Sequence, residues 1–229
     1  MNKGLFVTLR RLGIYAVLLL SLAVWSCLKN EDDTVVLPPY MEEIPEHVIP
    51  HSVIDTLKGY MTINEGPDPP VIEGGFLASP MALVHASDDY VNNNFYDARL
   101  LFSSQSCRNM VCYYEEQYTA QLSCDAAVVT GRAGFFTFAG RATMSNPSAG
   151  WSCTLGLVIS GKMQLDGTIT GLEYANVMLE KTDPYDVLIE VGDYRVYRDQ
   201  DGLSTVEDWQ PSTPVAPTAF NIMKARAEQ

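Results

Sequence analysis

From Tyr96 onward the chain alternates apolar and polar residues with a period of two, which excludes a helical body. Tyr96, Ala98, Leu100 and Phe102 fall on one side and Asp97, Arg99 and Ser103 on the other, with Leu101 out of phase. Side chains on a strand alternate between faces, so this spacing predicts a half-buried strand. Residues 110–117 and 120–129 read as the two arms of a hairpin, and 135–143 follow with Phe136 and Phe138 opposite Thr137 and Arg141. Residues 153–160 are nearly all small or apolar, which predicts a central strand. Asp166-Gly167 is a two-residue hairpin turn. It leads into a strand where Ala175, Val177 and Leu179 alternate with Asn176 and Glu180, and 186–191 and 194–198 complete the set. Residues 51–61 are the one helical stretch: Val53, Ile54, Leu57, Tyr60 and Met61 share a face, with Ser52 as N-cap after Pro50. Many short strands separated by turn residues predict an all-β antiparallel fold, a barrel or a β-sandwich. Closure into a barrel would remove exposed strand edges.

The beginning of the chain reads as an export signal. Lys3, Arg10 and Arg11 precede the apolar run from Leu12 to Val24, and no acid occurs before Glu31. The run falls short of the ~20 residues that a bilayer span needs. Ser26 directly before Cys27 resembles the lipobox of bacterial lipoproteins, in which the cysteine is acylated and the chain is cut just before it. The expected organisation is a lipoprotein signal peptide over 1–26, an acidic tether over 27–43 and one domain over 44–209. A Pro-rich tail with Pro211, Pro214 and Pro217 takes up 210–229. The membrane is then a partner through lipid on Cys27, each buried methylene contributing about 0.8 kcal/mol.

The formal net charge is −13, and loss of the leader's three basic residues takes it to −16. So acidic a chain argues against nucleic acid as a partner. Of the five cysteines, Cys107, Cys112, Cys124 and Cys153 remain if Cys27 carries lipid. An even set in an exported protein permits two disulfides in three pairings. Cys112 and Cys124 flank the hairpin and could face each other; Cys107 with Cys112 would leave Cys124 for Cys153. Free buried thiols are an equal alternative.

Gly66, Pro69, Pro70, Ile72, Gly74 and Phe76 form a Gly-x-x-Pro-Pro-x-Ile-x-Gly-x-aromatic approach to the first strand. Together with Ile159-Ser160-Gly161, Gly171-Leu172, Tyr174-Ala175, the run from Gly192 to Asp199, and Asp201-Gly202, it resembles uncharacterised surface lipoproteins of Bacteroidetes-type bacteria. The acidic stretch Glu31-Asp32-Asp33 behind Cys27 is similar to their surface-export signal. The resemblance implies an outer-membrane location, facing the cell surface, and a lipocalin-like β-barrel; it implies no activity. By comparison with lipocalins, Phe76 would be covered by Arg195 or Arg198 to seal one end, leaving the other end as the mouth.

Local chemistry signals are few. His47, His51 and His85 have no metal-ligand spacing, and no hydrolase, phosphate-loop or dinucleotide motif occurs. Asp199, Asp201 and Glu207 surround a glycine turn and are candidate calcium ligands, although an acid or amide of the EF-hand pattern is missing and a plain turn is preferred. Tyr90 and Phe95 lie in an Asp/Asn-rich loop where rings could stack on a sugar; an ordinary connection is the simpler reading. Tyr96, Phe102, Phe136 and Phe138 are expected to line the barrel interior. The expected function is non-catalytic: a barrel that binds a small molecule, lipid or glycan, as a monomer or docked in a surface complex. The alternatives are a hydrolase with a carboxylate pair and a structural subunit of a surface assembly.

Overall fold

The computed structural model describes residues 40–91, 95–107, 109–116, 120–211 and 222–224. The expected leader and most of the acidic tether, including Cys27, lie outside the described residues. Among the described residues one helix, α1 (His51–Leu57), precedes nine strands. These are β1 (Gly74–Ala86), β2 (Tyr96–Ser103), β3 (Met110–Glu116), β4 (Ala120–Arg132), β5 (Phe135–Asn146), β6 (Trp151–Met163), β7 (Ile169–Thr182), β8 (Tyr194–Asp199) and β9 (Leu203–Val206).

Each strand from β1 to β8 pairs antiparallel with the next, and β8 returns to β1. The ring closes as a barrel-like sheet of the up-and-down kind found in lipocalins. β8 and β9 fill one slot between β7 and β1. β8 pairs Met81 with Asp199 and Tyr174 with Tyr197, and β9 pairs Phe76 with Val206 and Ile169 with Ser204. The two segments run in the same direction, so they act as one strand interrupted by Gln200-Asp201-Gly202. The sandwich alternative is thereby set aside.

Two apolar clusters lie on opposite faces of the sheet. The inner one gathers Phe76, Tyr96, Leu100, Phe102, Phe136, Phe138, Leu157, Ile159, Tyr174 and Tyr197, each nearly inaccessible. The outer one joins Val128, Ala139, Val158, Ala175, Val177 and Val196 to Ile44, Val48, Ile49, Ile54, Leu57 and Met61 of the segment before β1. That segment lies across β4 to β8, which explains why β6 reads as a nearly continuous apolar run. It also buries polar groups that alternation alone would place in water. Thr137 bonds Ser160 Oγ at 2.8 Å and accepts the Asn64 amide at 2.7 Å. The irregularity in β1 at Ser79-Pro80 moves the inward phase from Phe76 and Ala78 to Met81 and Leu83.

Three local expectations are corrected. α1 stops at Leu57 and has Pro50, not Ser52, at its N-cap; the His51 amide donates to Glu46 Oε2 at 2.7 Å instead. Residues 186–191 form no strand of the ring: the Leu188 amide goes to Asp183 Oδ2 at 2.7 Å, and Leu188 bridges Met223. Part of the expected tail belongs to the domain, because Ile222 is buried in the inner cluster and its carbonyl accepts the Ile189 amide at 2.9 Å. Among the described residues no helix is long and apolar enough to cross a membrane.

Burial of the outer cluster gives a direct test of the N-terminal segment's role. Leu57 is fully buried while Tyr60 is 39% exposed. Leu57→Ala is expected to cost about 2–5 kcal/mol in urea denaturation, and Tyr60→Ala under about 1 kcal/mol. Equal losses would show that the segment does not pack as described.

Candidate functional site

The inner face of β7 and β8 places a polar group inside an otherwise apolar ring. Tyr174 and Tyr197 are cross-strand partners whose rings stack at 4.7 Å and 11°. Tyr114 packs against Tyr174 at 5.0 Å and Tyr96 meets Tyr197 edge-on at 5.6 Å. The Tyr96 and Tyr174 hydroxyls are hydrogen-bonded to each other. A phenol buried with its hydroxyl needs such a partner, which clusters the tyrosines.

One inward position along from Tyr174 sits Asn176, between Leu157 of β6 and Arg195 of β8 in register. It is fully buried, and among the described residues neither Oδ1 nor Nδ2 has a hydrogen-bond partner. Leaving a buried donor or acceptor unmade costs about 1–3 kcal/mol each, so such a group in a folded protein calls for an explanation. Alternation with Ala175 and Val177 would set Asn176 on the water-facing side, but the N-terminal segment covers the Ala175 and Val177 face and Asn176 turns inward; nothing in sequence marks it as unpartnered.

Arg195 is the partner in register. It is 1% exposed and donates from Nε to Asp88 Oδ1 at 3.1 Å, and from Nη2 to Asp88 Oδ2 at 2.5 Å and to the Met223 carbonyl at 2.9 Å. Its guanidinium lies over the Tyr90 ring, 3.8 Å from the centroid. A cation held against a ring does close one end of the barrel, but the ring differs from the one expected. Arg195 pairs with Ala86 at the β1–β2 end, whereas Phe76 starts β1 at the other end and packs on Phe102 at 6.1 Å. The length of β1 separates the two. Arg198 points outward and pairs with Glu173.

The β2–β3 end is also covered. Ile72 is buried in the inner cluster, its amide donates to Gln105 Oε1 at 2.8 Å, and Gln105 Nε2 donates to the Pro70 carbonyl at 2.9 Å. Among the described residues, Arg195 and Tyr90 lie at one end and Ile72 and Gln105 at the other. Phe102, Phe136 and Phe138 do point inward, and they pack on each other, with Phe102 at 5.4 Å from Phe138 and 6.4 Å from Phe136.

The remaining candidates are dispersed. Phe95 is 62% exposed and Tyr90 spends a face on Arg195, so the loop offers no pair of free rings; residues 92–94 lie outside the described residues. The proposed calcium ligands do not converge. Asp199 faces inward and accepts from Ser204 Oγ at 2.8 Å, Asp201 accepts the Leu203 amide at 2.8 Å, and Glu207 pairs with Arg99 at 2.8 Å. Among the described residues no group of three or more metal-ligating side chains occurs. Cys112 and Cys124 stand opposite each other on β3 and β4, while Cys107 follows β2 at the β2–β3 end and Cys153 lies near the β5–β6 turn, at the other end.

Asp199 is another buried polar group with an unpartnered atom among the described residues, Oδ1. Burial pushes its carboxyl up to about 6, and the neighbouring Asp201 carboxylate adds to the rise. A folded-state value above the unfolded one means that the native state keeps a proton the unfolded chain has released. Stability from this group is then present below about pH 4, falls as pH rises toward 6, and stays lower above it. Asp199→Asn is expected to remove that fall and to raise stability at pH 7.5 by about 2 kcal/mol, read from denaturant midpoints at pH 4 and 7.5. An unchanged pH profile would show that Asp199 is ionised throughout.

No protein-family model, curated protein or solved structure matches the chain.

Proposed function

We propose that this chain is a lipid-anchored outer-membrane protein, displayed at the cell surface, whose barrel holds a small ligand without chemical turnover. The observation that carries the binding half is Asn176, an amide fully buried inside the ring with both polar atoms unpartnered among the described residues. A ligand with one hydrogen-bonding head would meet that amide, and its body would lie along the aliphatic and aromatic inner face. Pockets of this kind combine an apolar lining with a few fixed polar groups. The composition of the inner cluster favours a small amphiphile or lipid over a glycan, because sugars need many polar partners. The anchor half rests on Ser26-Cys27, the apolar run before it and the acidic residues after it.

Two other readings fit less well. A carboxylate-pair hydrolase needs two acids facing one cavity, whereas Asp199 faces inward and Asp201 is exposed. A fibre subunit assembled by strand exchange needs a free edge, whereas β1 to β8 pair on both sides. Docking in a surface complex draws support from Leu165, Leu203 and Val206, exposed near the β6–β7 turn.

Native mass spectrometry of full-length protein, extracted from its own membranes in mild detergent, tests both halves. The expected spectrum shows lipid on Cys27 and a small-molecule adduct that denaturation releases. Asn176→Leu is expected to lose the adduct and to melt no lower than ligand-free wild type, since it removes an unpaired amide. A wild-type spectrum carrying only water would sink the binding proposal, and an unmodified Cys27 would sink the anchor.

A further inference from the structure

We infer that Cys112 and Cys124 form a disulfide across the β3–β4 hairpin inside the barrel, with Cys107 and Cys153 left as thiols. The inference rests on the proposed export for its oxidant and is otherwise independent of any ligand.

The register carries it. Cys112 and Cys124 are direct partners on neighbouring antiparallel strands, both fully buried on the inner face. Directly opposed residues in such a ladder have Cα atoms about 4.5–5.5 Å apart, inside the ~4.4–6.8 Å range that a disulfide spans. Both side chains point the same way, so the bond needs no backbone rearrangement. The fold also keeps room for the sulfurs: a Cβ on Gly140 of β5 would fall 2.9 Å from Cys124 Cβ and 3.1 Å from its Sγ. In the structure both are thiols, and Cys112 Sγ has only a long contact to the Tyr113 carbonyl, 3.6 Å. Burial raises the Cys112 thiol well above its ordinary value, and the nearby Cys124 raises it further. Thiols so placed are slow to react once buried, which puts bond formation before the hairpin is enclosed.

A second link, between Cys107 and Cys153, fails on position. Cys107 lies at the β2–β3 end and Cys153 near the opposite end, where its register partners are Met144 and Lys181. These two cannot reach each other within one chain. Cys153 is buried as well, and its thiol is pushed up to about 11 by burial and by Asp183.

The step balances as an exchange. The two thiols give up two protons and two electrons as the sulfur–sulfur bond forms. A protein disulfide of the exporting compartment takes them up, and its own sulfur–sulfur bond breaks to give a dithiol. The closed loop is short, and constraint of the unfolded chain is the expected source of stabilisation.

The test is peptide mapping of the full chain, refolded in a buffer of oxidised and reduced glutathione and alkylated without reduction. Trypsin leaves both cysteines in one peptide, residues 109–132, so cleavage after Glu115 or Glu116 is needed to display the link. The expected result joins Cys112 to Cys124, with Cys107 and Cys153 alkylated, and reduction lowers Tm by roughly 5–10 °C. Alkylation of Cys112 and Cys124 in the refolded protein, or a link from either to Cys107 or Cys153, overturns the inference. Should the link form on refolding while protein taken directly from cells is reduced, the export reading fails and the pairing stands.

Discussion

Everything in this fold depends on β8 and β9 reaching back to β1. Without that contact the sheet would end in two free edges, and the long inner face would open to water. With it, each strand from β1 to β8 finds backbone partners on both sides, and the inner face is turned away from water. The broken character of the closing strand, interrupted at Gln200-Asp201-Gly202, lets two short segments span the full length of β1. The segment 40–66 then covers the outside of β4 to β8, so part of the sheet is buried on two faces.

Closure also sets the terms for every polar group inside. The Tyr96 and Tyr174 hydroxyls bond each other, and Arg195 is satisfied by Asp88, the Met223 carbonyl and the Tyr90 ring. Asn176 and Asp199 keep unpartnered atoms among the described residues. A domain of this size loses stability at such places, and they are where a binding role is best sought. The opposed cysteines answer to the same geometry: pairing of neighbouring strands brings them together, and burial preserves whichever redox state they reach.

Much of the sheet was legible from residue spacing alone. Tyr96 to Phe102 alternates as a strand facing one core does, and Asp166-Gly167 turns between β6 and β7. Other features needed the closed ring. Phe76 and Arg195 could be paired on paper, yet β1 is long enough to carry them to opposite ends. Thr137 reads as solvent-facing because alternation assumes water outside, and Asn64 and Ser160 meet it there instead. Leu188 and Ile189 looked like a strand; they are core residues of a connection whose amides are taken by Asp183 and Ile222. Asn176 shows the limit most clearly. Alternation with Ala175 and Val177 assigns it to the water-facing side, whereas the covered outer face and the closed ring turn it inward.

The closure itself is open to a single measurement, hydrogen–deuterium exchange resolved to short peptides of the native full-length protein. Amides in a paired ladder exchange only when the ladder opens. The ring predicts that β1 and β8 peptides are protected on the same timescale as β5 and β6, with the 186–191 connection faster. Rapid exchange along both β1 and β8, beside a slow β5–β6 pair, would mean an open sheet and would contradict the closed interior.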